Sequence, residues 1–118
     1  MPPKAKTNKQ QILDTAFEIV KESGVEALNA RTLARRIGCS TQPLFYNFST
    51  MEELLACVVA KANEFYHSYI WQAMSKAKYP PYKASGMAYI QFAKDERNLF
   101  NLLFMRDRTN EKEDVQNS

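Results

Sequence analysis

Apolar residues recur at helical spacing through most of the chain, and the breaks between the runs divide it into six segments. Ile12, Leu13, Ala16, Phe17, Ile19 and Val20 form the first stripe, with the three-four spacing that lays side chains on one helix face. Thr7-Asn8-Lys9-Gln10 ahead of it fits a capping box, Thr7 capping and Gln10 reaching back. This helix is expected to run to about Ser23 and to end at Gly24, with Val25 packing back on its last turn. Leu33, Ala34 and Ile37 share one face of a short second helix, for which Asn29 is the expected cap. Gly38 follows, the residue most able to leave a helix through a left-handed conformation. Ser40 is expected to cap a third helix, in which Leu44 and Phe48, four apart, face the second. Pro43 would break a helix interior, but in a first turn its missing N–H costs little.

The opposite side of that third helix carries Thr41, Gln42, Tyr46 and Asn47. A short helix that opens on small hydrogen-bonding side chains behind a glycine turn predicts a helix-turn-helix recognition element. Ser49 and Thr50, each three residues before Glu52 or Glu53, give two overlapping capping boxes for a fourth helix. Its stripe of Met51, Leu54, Leu55, Val58, Ala62, Phe65, Tyr66 and Tyr69 lasts over five turns. Lys76 and Lys78 suit the negative end of the helix dipole, and Tyr79-Pro80-Pro81 stops the run. At ~1.5 Å per residue this helix is ~40 Å long, more than a three-helix head can use, so it is expected to act as a strut. A fifth helix is expected over about residues 82–94 and a sixth over about 96–106. The sixth is apolar on nearly all sides through Leu99, Phe100, Leu102, Leu103, Phe104 and Met105, and such a helix has to be buried from more than one direction. Residues 1–6 read as a disordered basic arm and residues 107–118 as a disordered charged tail.

Composition narrows the field. With 118 residues and three glycines, the chain has room for one all-α domain with a modest core. No apolar stretch approaches the ~20 residues that span a bilayer, and the start of the chain lacks the apolar core of a signal peptide, so a cytoplasmic location is expected. The net charge of +3 is unevenly placed: residues 1–50 hold seven Lys/Arg against four Asp/Glu, while residues 51–118 hold nine of each. The whole excess lies with the helix-turn-helix, as a phosphate-facing surface requires.

From Gly24 through Leu55 the chain resembles the DNA-binding domain of TetR/AcrR-family transcriptional regulators. The matching pieces are Gly24, Arg31-x-Leu33-Ala34, Gly38-Cys39-Ser40, Leu44-Phe45-Tyr46-Asn47-Phe48 and Glu52-x-Leu54-Leu55. Tyr89-Ile90-x-Phe92-Ala93 and Leu99-Phe100-x-Leu102-Leu103-Phe104 are similar to the opening helices of that family's ligand-binding domain. The resemblance implies double-stranded DNA as partner, a homodimer, and a small-molecule effector. It implies too that the first helix buttresses the other two, with any DNA contact of its own near its N-terminus, and that further helices beyond these six build the pocket wall and the dimer interface. Without those helices the exposed apolar stripe is expected to drive self-association.

Base contacts are expected from Arg31, Thr41 and Gln42. Arg can grip guanine O6 and N7, Gln can read adenine N6 and N7, and the Thr methyl can meet a thymine methyl. Arg31 also matches a position where some relatives reach a guanine edge. Ser40, Phe45, Tyr46 and Asn47 are expected on the DNA backbone, where they fix register rather than sequence. Two residues depart from the family pattern. Phe45 replaces a frequent Tyr and loses its hydroxyl, and Met51 stands where relatives commonly carry a phosphate-contacting Lys. The loss of that charge is expected to lower the salt dependence by roughly one unit of slope.

No enzyme chemistry is legible. His67 is the only histidine, Cys39 and Cys57 show no metal-binding spacing, and no glycine-rich phosphate loop is present, so neither a metal nor a cofactor is expected. Tyr66, Tyr69, Trp71, Tyr89 and Phe92 are the candidate lining of an effector pocket, although aromatic residues at this spacing also serve as plain core. The expected architecture is therefore a DNA-binding head over residues 7–50 followed, over residues 51–106, by a strut helix and a partial effector and dimerisation domain. Two other classes fit parts of the pattern. One is a shortened family member that acts as a protein-interaction decoy without specific DNA binding, and the other is a small helical enzyme resting only on the aromatic cluster.

Overall fold

The computed structural model describes residues 7–78 and 80–105. The basic arm, Tyr79 and the charged tail lie outside the described residues, as does Arg106. The described residues form α1 (Lys9–Ser23), a 3₁₀ turn (Val25–Ala27), α2 (Ala30–Ile37), α3 (Gln42–Asn47), α4 (Met51–Lys76), α5 (Pro81–Asp95) and α6 (Arg97–Phe100). The last runs on as one π-helical turn, Asn101–Met105. There is no strand among them, in line with the all-α reading.

The helix ends show which local signals the chain uses. Asn8, not Thr7, caps α1: its Oδ1 accepts from the Gln11 N–H at 2.8 Å, while Gln10 donates to Asp14 instead of reaching back. Asn8 holds the extended conformation that aims a cap side chain at the first turn (φ −120°, ψ 172°). Asn29 caps α2 as expected, accepting from the Thr32 N–H at 2.8 Å. Gly24 and Gly38 leave α1 and α2 at φ +92° and +88°, where a side chain would be strained.

Ser40 does not cap α3. The cap position is Thr41, whose side chain makes no capping bond, and the Leu44 and Phe45 N–H groups bond to the Thr41 carbonyl. Pro43 explains this, because it removes one of the free first-turn donors that a side-chain cap would serve. At α4 only one of the two expected boxes forms. Thr50 Oγ1 accepts from the Glu53 N–H, and the Glu53 carboxylate reaches back to the Ser49 N–H. The helix ends at Lys76, leaving Lys78 outside it, and α5 starts at Pro81, where a fixed φ and absent N–H suit a first helical position.

One continuous core joins head and strut. Ile12, Ala16, Phe17, Ile19 and Val20 of α1 meet Leu33, Ala34, Leu44 and Phe48 on one side. On the other they meet Leu54, Val58 and Ala62 of α4, with Phe92, Leu99, Leu102 and Leu103 closing the cluster. α6 is thus buried from the side of α1 as well as that of α5, which accounts for Leu99, Leu102 and Leu103. Phe104 and Met105, 43% and 66% exposed, remain outside it. α1 therefore does more than buttress α2 and α3: its second half is also the seat of α6.

Candidate nucleic-acid interface

The surface made by α2 and α3 follows from which of their faces the core consumes. Leu33, Ala34, Leu44 and Phe48 point inward and are nearly inaccessible. A six-residue helix with that inner side has to present the remainder, and Thr41, Gln42, Phe45 and Tyr46 are exposed. Tyr46 is 89% exposed. Arg31, in the first turn of α2, is exposed, as is Ser40 in the turn. Among the described residues, the side chains of Arg31, Thr41, Gln42 and Tyr46 have no hydrogen-bond or ion-pair partner.

Asn47 sits differently. It is half-buried, and its amide donates to the Pro43 carbonyl at 2.8 Å, closing the short helix on itself. The three arginines of α2 also separate. Arg36 binds the Glu22 carboxylate at 2.6 Å and ties α2 to α1, whereas Arg31 and Arg35 have no carboxylate partner among the described residues. Met51 is half-buried and packs on the core, so the start of α4 presents an apolar side chain at that position.

Contacts between residues far apart in sequence add two features that periodicity could not reveal. Lys9 at the start of α1 lies over the Phe48 ring, its ammonium 5.2 Å from the centroid. At the other end of α1, Asn98 of α6 donates to the Lys21 carbonyl at 3.0 Å, and Lys21 approaches Glu96 at 3.7 Å. An open cleft of about 500 Å³ lies along this second junction, lined by Gly24, Val25, Glu26, Asn98, Leu102 and Met105, among others.

The five aromatic residues named for an effector pocket are distributed unevenly. Phe92 is fully buried, with the rings of Phe65, Tyr66 and Tyr69 against it at 5.0–6.3 Å. Tyr89 belongs to a neighbouring group with Phe100 and Phe104, and Trp71 is 70% exposed. Burial raises the Tyr66 phenol above its ordinary value, with Tyr89 adding to it. Tyr69 is raised by burial first and then by the Asp95 carboxylate beside it. No group of His, Cys, Asp and Glu able to hold a metal ion occurs among the described residues, and Cys39 and Cys57 are free thiols. No described helix is long and apolar enough to cross a membrane.

Two short helices around a glycine turn, buttressed by α1 and presenting an unpartnered polar face, define a helix-turn-helix head. Residues 12–58 match the family model of bacterial regulatory proteins, tetR family. Over these residues the head is similar to that of the TetR family. Among curated proteins the chain is similar to the tetracycline repressor protein class D of Escherichia coli and that of class H from Photobacterium damsela subsp. piscicida. Each is 26% identical over 65 residues, which cover 55% of this chain and 30% of the relative. The chain thus aligns with less than a third of the length of these relatives. No solved structure matches the chain at comparable stringency.

Proposed function

We propose that the protein is a sequence-specific DNA-binding transcriptional regulator, a repressor that binds a pseudo-palindromic operator as a dimer and responds to a small-molecule effector. The observation that carries this reading is the outward face of α3 with Arg31 beside it. Exposed, unpartnered groups able to read base edges lie directly on a buried scaffold that holds them. In this reading Arg31, Thr41 and Gln42 contact bases, while Ser40, Phe45 and Tyr46 contact the DNA backbone. Asn47 acts chiefly by closing α3, which aims Tyr46, and its remaining amide hydrogen is free for a phosphate oxygen. A dimer would place two recognition helices in successive major grooves, ~34 Å apart.

Effector action would run through the junction at the C-terminal end of α1. A ligand that separates the aromatic rings of α4 and α5, among them Tyr66, Tyr69, Tyr89 and Phe92, would move α6. Asn98 and Glu96 would carry that movement to Lys21 and so to the head. A ligand shifts the DNA equilibrium only by its differential affinity for the two arrangements. The relatives' names refer to tetracycline, but the similarity to them lies over the head, so the effector of this chain is not inferred from them.

The test is fluorescence anisotropy of the protein on its own upstream DNA and on a shuffled control at two salt concentrations. Tighter binding to the native site, lost on Arg31→Ala or Gln42→Ala, is the expected result. Equal and strongly salt-dependent binding to both would mean that the head holds phosphates without reading sequence, and the repressor reading would fail.

A further inference from the structure

The open cleft of about 500 Å³ at the C-terminal end of α1 shares no lining residue with the recognition face or with the aromatic rings of α4 and α5. Gly24, itself buried, lines it. The positive φ already calls for glycine there, and the missing side chain leaves a space that two oxygen atoms border. A methyl group on Gly24 would stand 3.0 Å from Glu26 Oε2 and 3.4 Å from Asn98 Oδ1. The Asn98 amide is fixed in this orientation, since its Nδ2 donates to the Lys21 carbonyl at 3.0 Å. Its Oδ1 receives no hydrogen bond among the described residues. Glu26 likewise has no cation and no donor among them. A carboxylate and an amide oxygen thus converge on one space, both unpartnered among the described residues.

Two such acceptors call for a donor-rich cation. An ammonium group carries several N–H donors and a positive charge, so it can serve both oxygens at once and offset the carboxylate. A divalent metal ion is the poorer match. It needs more oxygen ligands than these, and no group of His, Cys, Asp and Glu able to hold one occurs among the described residues. Beside the acceptors the lining is apolar, with Val25 from the 3₁₀ turn and Leu102 and Met105 from the π-helical turn. Turns of the latter kind are frequent at functional sites. A cleft of this size is also within the ~300–1,000 Å³ usual for small-molecule sites, where a few polar groups orient a ligand on an apolar wall. The geometry points to a binding site for a small organic cation, its ammonium held by Glu26 and Asn98 and its apolar group set against Val25, Leu102 and Met105. A ligand held there bridges the turn that leads towards α2 and the helix that follows α5. The site stands whether or not the head reads DNA.

The experiment is isothermal titration calorimetry of the full chain with phenethylamine, and with phenethyl alcohol as its uncharged counterpart. Saturable binding of the amine is expected, weaker by about tenfold or more for the alcohol and for the amine on Glu26→Gln. Glu26 is exposed, so Glu26→Gln should keep the melting temperature of the parent. Glu18, an exposed residue of α1, does not line the cleft, and Glu18→Gln should bind the amine as the parent does. NMR spectra of the labelled protein locate the amine: the Gly24 backbone amide and the Asn98 side-chain amide should shift as it is added. No saturable binding of the amine would overturn the site. So would equal affinity for both compounds, an unchanged affinity in Glu26→Gln, or an equal loss in Glu18→Gln. Shifts at Tyr66, Tyr69 and Phe92 in place of Gly24 and Asn98 would put the amine in the aromatic layer and overturn it too.

Discussion

At the scale of single residues, the head divides into side chains that hold its shape and side chains left over. Arg36 and Asn47 carry the same chemistry as Arg31 and Gln42, yet both are engaged inside the protein, by Glu22 and by the Pro43 carbonyl. Arg31→Ala or Gln42→Ala is therefore expected to weaken the native site by ~1–3 kcal/mol while hardly changing binding to shuffled DNA. Competition anisotropy reads that difference directly. The aromatic layer makes its own prediction. A phenol whose ionisation is raised in the folded state stays neutral while the unfolded chain ionises, so stability is unaffected below about pH 10 and falls as pH rises past it. Tyr66 and Tyr69 are both raised, so melting temperature should drop above about pH 10, and Tyr66→Phe with Tyr69→Phe should reduce that drop. Phenolate absorbance followed alongside the melt would show whether the two events coincide. Such shifts are not readable from spacing, since they depend on Phe92 and Asp95 being brought against these rings.

At the scale of elements, the heptad-like stripes were sufficient to place every long helix, because burial of one face is a property of the sequence itself. The caps were less legible. Thr7 and Ser40 satisfy the same composition rules as Asn8 and Thr50, and the difference lies in backbone conformation and in Pro43. A paired test follows. Thr50→Ala removes a bond to the Glu53 N–H and should cost ~1 kcal/mol of stability. Ser40→Ala removes no capping bond and should leave the melt within about 0.5 kcal/mol of the parent, showing its effect only in DNA affinity. Thermal or urea unfolding of both variants decides which serine or threonine caps a helix. Where the periodicity predicts one regular helix over about residues 96–106, the chain forms the short α6 and a π-helical turn. Its apolar character was visible, but its seat against α1 rests on Asn98 and Lys21, 77 residues apart.

At the scale of the whole molecule, the helices beyond the head carry apolar side chains that the core does not cover. Trp71, Tyr82, Met87, Ile90, Phe104 and Met105 are exposed. Exposed apolar side chains in this number favour association. If the protein dimerises as proposed through this region, sedimentation should show a concentration-dependent species, and quenching of Trp71 should decline as that species forms. A monomer at all concentrations, with Trp71 equally quenched throughout, would remove the dimer from the proposal. What the sequence by itself determined is the set of helices, the glycine turn and the polar face of α3, since each depends on periodicity, φ preference or local hydrogen bonding within a few residues. Only the tertiary structure decided which of the equivalent cations and amides stay unpartnered. Lys9 meets Phe48, Arg36 meets Glu22 and Asn98 meets the Lys21 carbonyl only after α1 has packed against α2, α3 and α6, and side-chain partnership across such distances is a consequence of that packing.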